Sequence, residues 1–227
     1  MPGSRTETKK PAPGLILFDL DGTLADTGPD LADALNRLLE ECDRPPLPYA
    51  TIRPVVSMGG AALISLAFQI DDSRSEFEGL RRRFLDFYLE DIARHTQLFP
   101  GMETVLERIE TTSRHWGIVT NKPAWLTDPL MQALAMTRRA RCIVSGDTLP
   151  FRKPHPEPLL HACRVAGYRP RDAIYVGDAR RDVEAAHAAG IPAYVARYGY
   201  IPSDDDPGGW GAEALIDSPM ELLQMME

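Results

Sequence analysis

A chain of 227 residues, 44% hydrophobic and 26% charged, has the composition of a globular protein with room for one α/β core and a smaller accessory module. Its formal net charge of -8, with no basic stripe interleaved with aromatics, excludes a nucleic-acid footprint. Its longest apolar stretch, residues 61–68, is interrupted by Ser65 and is too short to cross a bilayer.

Residues 1–13, MPGSRTETKKPAP, are polar and proline-bearing, which predicts a disordered tail and excludes a signal peptide. Leu15 to Phe18 form a short apolar run that reads as a buried strand, broken at once by Asp19, Asp21 and Gly22. In extended backbone Asp19 and Asp21 project to one side, where two negative charges call for a cation such as a divalent metal. Gly28-Pro29-Asp30 then opens a helix with Leu31, Ala34, Leu35, Leu38 and Leu39 at helical spacing, ending near Cys42. Prolines 45, 46, 48 and 54 mark a loop, residues 61–70 read as a second helix, and from Ser73 a longer helix carries an apolar stripe of Phe77, Leu80, Phe84, Phe87, Tyr88 and Ile92. Residues 29–94 thus read as a small all-helical module. Arg81-Arg82-Arg83, flanked by Glu76, Glu78, Asp86 and Glu90, reads as a solvated helix face.

Beyond Leu98 the pattern changes to alternation. Strands are predicted at residues 116–119, 142–144, 173–176 and 193–196. Between them lie helices around 124–135, at 157–166 closed by Gly167, and at 180–189 closed by Gly190. Such alternation predicts an α/β fold with a parallel sheet covered on both faces. Residues 197–212 read as a loop, followed by a weak strand at 214–216 and a terminal helix. Three widely spaced cysteines, Cys42, Cys142 and Cys163, predict reduced thiols in a cytoplasmic protein.

Ligands of open α/β sheets bind outside the carboxyl ends of the strands. Four predicted strand ends carry chemistry: Asp19 and Asp21; Thr120, Asn121 and Lys122; Lys153 after the loop GDTLPFR; and Asp178 with Asp182 four residues on. Taken singly, each has a bland reading as a helix cap or surface charge. Their coincidence at one rim does not.

These residues resemble the four motifs of the haloacid dehalogenase superfamily of phosphatases, and within it the phosphoglycolate phosphatase group. The motifs are FDLDGTLADT (18–27), VTNKP (119–123), KPHPEP (153–158) and GDARRD (177–182), and the resemblance covers the chain after the tail. It implies a Rossmann-like three-layer core of residues 14–28 and 95–227, with 29–94 as the inserted small helical cap. It implies that Asp19 attacks phosphorus to form an aspartyl-phosphate, while Asp21 is general acid and then general base. Mg²⁺ would be held by Asp19, the backbone carbonyl of Asp21 and Asp178, with Asp182 holding a metal-bound water. Lys153, Thr120 and the backbone or side-chain amide of Asn121 would bind phosphoryl oxygens, and Thr23 would position Asp21. Ala179 departs from the serine or acid common at its position.

The substrate would be a small phosphorylated metabolite, with no nucleic-acid or membrane partner, and the chain is read as a monomer or homodimer. RPVVSMGG (53–60) lies where the group carries a specificity loop, so Arg53 or Ser57 would bind a carboxylate or sugar hydroxyl, with surface arginine and helix cap as the alternative. Lys122 and His155, beside motifs two and three, either face the leaving group or belong to loop structure. YGYIPSDDDPGGWGA (198–212) and VVSMGG are similar to the branch that dephosphorylates N-acetylmuramic acid 6-phosphate; 2-phosphoglycolate is the other substrate reading. A sugar-phosphate mutase of the same superfamily and a receiver-like signalling domain are the competing functions.

Overall fold

The computed structural model describes residues 13–226, so the tail expected over 1–13 lies, but for Pro13, outside the described residues. In chain order the elements are β1 (Leu15–Phe18), β2 (Ala25–Asp26), α1 (Gly28–Glu41), α2 (Tyr49–Ile52), α3 (Gly60–Phe68), α4 (Phe77–Glu90), β3 (Gln97–Leu98), α5 (Met102–Glu110), β4 (His115–Val119), α6 (Ala124–Ala133), β5 (Ile143–Val144), α7 (Glu157–Ala166), β6 (Ala173–Gly177), α8 (Arg180–Ala188), β7 (Ala193–Ala196) and β8 (Ala214–Ile216). Six strands form one parallel sheet in the order β5-β4-β1-β6-β7-β8.

Alternation along the strands divides the core into two layers. Ile16, Phe18, Trp116, Ile118 and Val176 face α5, α6 and the C-terminal turn, whereas Leu15, Leu17, Val119, Tyr175 and Val195 face α7 and α8. Each layer closes on helices whose inward stripe supplies Met102, Val105, Leu106 and Ile109 on one side, and Leu159, Ala162, Val183 and Ala186 on the other. The C-terminal segment expected to be a helix is 3₁₀ over Pro219–Met226, and the loop after β7 contains a 3₁₀ turn at Pro207–Trp210. The three cysteines are free thiols, with Cys142 and Cys163 buried.

Between β2 and β3 the chain builds a separate helical cluster. Leu31, Leu35, Leu38 and Leu39 of α1 pack against Phe77, Phe84, Phe87 and Tyr88 of α4, with Leu63 and Ile64 of α3 beneath them. α4 begins at Phe77 rather than near Ser73, because residues 71–76 are spent in turns. β2 and β3, too short to show in the sequence pattern, pair antiparallel where the chain leaves and re-enters the core, Ala25 opposite Leu98 and Asp26 opposite Gln97. The seam is fixed by Asp30, buried in the first turn of α1, which accepts hydrogen bonds from the backbone N–H groups of His95 and Thr96 and from the Thr96 hydroxyl.

Candidate active site

β1 lies between β4 and β6, in register so that Phe18 is opposite Ile118 and Val176. The carboxyl ends of the three central strands therefore stop within one residue of each other, β4 and β6 running one residue past β1, and the residues that follow, Asp19, Thr120 and Asp178, share one rim at the point where strand order reverses. Beyond Phe18 the chain is not extended. The N–H groups of Leu24 and Ala25 return to the Leu20 carbonyl in a tight turn, and Asp21 makes only an isolated bridge to Ala25. Asp19 and Asp21 nevertheless line the same cavity, of about 970 Å³, between the sheet edge and the helical cluster.

Lys153 is the hub of the buried part. Its ammonium lies 3.0 Å from Asp19 Oδ1 and 2.8 Å from Asp182 Oδ1, and it donates to the Tyr175 hydroxyl at 2.7 Å, which in turn donates to the Val119 carbonyl. All four of these side chains are buried, so each polar atom needs a fixed partner. The Asn121 side chain clamps the Lys153 backbone, accepting from its N–H at 3.0 Å and donating to its carbonyl at 2.9 Å. That occupies the side-chain amide expected to bind phosphate; the backbone N–H of Asn121 makes no hydrogen bond among the described residues. Asp19 accepts from Leu20 N–H and Lys153 through Oδ1 alone, so Oδ2 carries no hydrogen bond within the described residues. The buried hydroxyl of Thr120 lies at the same rim and accepts from Lys122 N–H at 3.2 Å.

Three buried carboxylates, Asp19, Asp178 and Asp182, bring an oxygen each within 4.8 Å of one another. Burial, and then the negative charges of Asp19 and Asp182, push the Asp178 carboxyl up to about 7. Burial likewise raises Asp19 against the opposing pull of Lys153. Asp182 is committed elsewhere, to Lys153 and, through Oδ2, to the Ala179 N–H at the start of α8. Asp178 Oδ1, by contrast, is buried without a hydrogen-bond partner. Gly22 has φ +82°, and a Cβ there would fall 2.1 Å from Asp178 Oδ2, so the turn after Asp21 can approach this acid only as glycine. An orphaned carboxylate oxygen among clustered acids, in a cradle with no room for a side chain, fits a hard divalent cation.

Other expected residues are placed differently. Thr23 is buried, but its hydroxyl has no partner; Asp21 Oδ1 is held instead by the Thr27 hydroxyl at 2.6 Å and the Lys122 ammonium at 2.9 Å. Lys122 also donates to the Tyr88 hydroxyl of α4 at 3.0 Å, tying Asp21 to the helical cluster. Burial opposes its charge, yet the Asp21 carboxylate and Tyr88 hold its pKa above the usual lysine range. Ser57 lines the cavity, but its hydroxyl donates to Asp178 Oδ2 at 2.6 Å, and its carbonyl accepts from Arg181. Arg53 does not line the cavity: its guanidinium donates to the Tyr198 carbonyl and lies over the Tyr200 ring, 5.1 Å from the centroid. Tyr200 itself joins three parts, its N–H on Asp178 Oδ2 and its hydroxyl between Asp26 and the Gly28 N–H. His155 stacks on Phe151, away from the cavity lining. The arginine run also divides. Arg83 pairs with Glu41 outside, while Arg81 and Arg82 turn toward the cavity, because residues 81, 82, 85 and 88 to 89 share the face of α4 next to the sheet edge.

The fold is a parallel α/β core with a helical insert, and acids and a lysine collect at the carboxyl rim of its sheet. The model of the haloacid dehalogenase-like hydrolase family matches residues 16–196. An N-acetylmuramic acid 6-phosphate phosphatase of Pseudomonas putida is 40% identical over 93% of this chain and 95% of its own length. A phosphoglycolate phosphatase of Xanthomonas campestris pv. campestris is 42% identical over 93% and 96%. Among solved structures, a predicted phosphoglycolate phosphatase from Haemophilus somnus superposes with a TM-score of 0.84 at 28% identity, over 94% of this chain and 98% of its own. The chain belongs to the haloacid dehalogenase-like hydrolase family, and these relatives carry the names of phosphatases.

Proposed function

We propose that this protein is a Mg²⁺-dependent phosphomonoesterase that works through an aspartyl-phosphate on Asp19, with residues 29–94 acting as a cap over the leaving group. The observation that carries the reading is Asp19 itself. One of its oxygens is fixed by Lys153 and Leu20 N–H, the other makes no hydrogen bond among the described residues, and the residue lines the cavity. That is the arrangement a carboxylate nucleophile needs.

The phosphate enters with its oxygens toward the Lys153 ammonium, the Thr120 hydroxyl and the free Asn121 N–H, which neutralise charge in place before reaction. Asp19 Oδ2 attacks phosphorus as the ester oxygen departs. Asp21, held by Thr27 and Lys122 on the leaving-group side, gives that oxygen a proton and later takes one from the water that cleaves the acyl phosphate. The ester bond breaks, the Asp19–phosphorus bond forms and is then hydrolysed, and inorganic phosphate leaves. Asp19, Asp178 and the backbone carbonyl of Asp21 would hold Mg²⁺, with Asp182 fixing a metal-bound water; the bound ion supplies positive charge that lets a carboxylate approach a phosphate dianion. Tyr175 keeps Lys153 aimed, and Asn121 keeps its backbone in place.

The two relatives' names suggest 2-phosphoglycolate and N-acetylmuramic acid 6-phosphate as substrates, and the cavity, of about 970 Å³, has room for the larger one. The test is phosphate release from both esters in parallel, with Mg²⁺ and without added bisphosphate. Release from either ester supports the hydrolase, and a larger kcat/KM for the amino sugar selects it. Turnover only with a bisphosphate activator, with isomerised sugar phosphate as product, would replace the hydrolase with a mutase.

A further inference from the structure

The cavity is also lined by cationic and apolar side chains outside the reacting groups. Arg81 is paired with Glu78 at 3.0 Å and Lys122 with Asp21 at 2.9 Å. Arg82 of α4 and Arg152, just before Lys153, line the same cavity, are exposed, and make no ion pair among the described residues. Arg152 uses only Nε, on the Gly146 carbonyl, which leaves the outer nitrogens of its guanidinium fork without a partner. Asp86, one helical turn beyond Arg82 on α4 and also at the cavity, forms no ion pair with it. The same cavity is lined by large apolar side chains open to solvent: Met58 at 57%, Trp125 at 45% and Leu89 at 38% exposure. Exposed indole and aliphatic surface together with unpaired guanidinium groups, lining one cavity, is the chemistry of a site completed by its ligand.

Resting on the phosphatase reading, we infer that these cavity-lining side chains select an acidic sugar monophosphate, with Trp125 covering the apolar face of the ring and Arg82 and Arg152 receiving a carboxylate on its substituent. A guanidinium presents paired donors that match a carboxylate, and an indole covers a ring's C–H face at little entropic cost. A two-carbon acid such as 2-phosphoglycolate carries a carboxylate but has no ring to cover Trp125. A neutral amino-sugar phosphate has the ring and lacks the charge. The selective ligand needs both.

The experiment uses the Mg²⁺-loaded full chain and three probes: N-acetylmuramic acid 6-phosphate, N-acetylglucosamine 6-phosphate, which lacks the lactyl carboxylate, and 2-phosphoglycolate. The measured quantity is the ratio of kcat/KM values. In Arg82→Gln/Arg152→Gln the ratio of acidic to neutral sugar falls roughly tenfold or more, as expected for loss of a charge-assisted contact. In Trp125→Ala the ratio of either sugar to 2-phosphoglycolate falls, and the acidic-to-neutral ratio moves less than in the arginine variant. Equal losses on both sugars in the arginine variant, or equal losses on sugar and glycolate in Trp125→Ala, overturn the assignment. Arg82→Gln alone, at an exposed position, keeps the test alive should the double variant fold poorly. Absence of phosphate release from these esters and from p-nitrophenyl phosphate would instead remove the phosphatase reading beneath it.

Discussion

The floor of the cavity and its roof are built on opposite plans. On the floor, contributed by the sheet edge, Lys153, Asp19, Asp182 and Tyr175 are buried and bonded to one another, and even the Lys153 backbone is clamped by Asn121. On the roof, contributed largely by α4 and the turn at Met58, Met58, Arg82 and Leu89 are exposed, and Arg82 makes no ion pair among the described residues. A reaction common to many esters needs groups fixed in advance, because reorganising them during the reaction would cost rate. Recognition of one ester needs surface that the ligand itself completes. The seam between the two plans is also polar: Lys122 reaches from Asp21 to Tyr88, and Ser57 from the roof to Asp178.

The largest expected effect strikes the floor. Asp19→Asn removes the proposed nucleophile, and kcat on p-nitrophenyl phosphate should fall by at least about 10⁴-fold while thermal unfolding still reports a folded protein. Turnover within tenfold of the native value would break the covalent route and with it the contrast between a fixed floor and an adaptable roof. Next comes Lys153→Met, which leaves Asp19 and Asp182 facing one another without their cation. Urea unfolding at pH 7 should show a loss of about 3–5 kcal/mol, the cost typical of a buried charge left unpaired. A loss under about 1 kcal/mol, as for a surface pair, would mean that the floor is not held as described.

A smaller effect comes from Asp178. Its folded pKa, about 7, lies above the ordinary carboxylate value, so the folded state binds the proton more tightly. Its contribution to stability is full below the ordinary carboxylate range and is lost as pH rises toward 7, by no more than about 4 kcal/mol. Metal-free protein should therefore gain on Asp178→Asn less stability at pH 4.5 than at pH 7.5, measured by urea unfolding. Added Mg²⁺ should recover the native protein's loss at pH 7.5 and not act on the variant to the same extent. A difference between native and variant that does not change with pH would show that the acids are relieved by other means.

Much of the floor was legible in the sequence because its residues stand at strand ends. Apolar runs at 15–18, 116–119 and 173–176 predict strands, a parallel sheet brings their carboxyl ends together, and Asp19, Thr120 and Asp178 follow immediately. The roof was not legible in the same way. Arg81 and Arg82 sit in an acidic neighbourhood that reads as a solvent face, and only the packing of α1 on α4 decides which side of that helix meets the cavity. β2 and β3 escaped notice because two-residue strands carry no periodicity.

The sequence by itself determined the succession of the six strands of the parallel sheet, the rim on which chemistry collects, and the identity of its acids and its lysine. Period-two and period-3.6 patterns are local, and a strand end is a local event. Only the tertiary structure decided that Thr27 and Lys122, rather than Thr23, hold Asp21, that Ser57 rests on Asp178 across 121 residues of chain, and that Arg53 braces Tyr198 across 145. Such contacts depend on which face each helix turns to the sheet and how two separately packed hydrophobic clusters meet. Burial of those clusters fixes that choice, and no spacing along the chain records it.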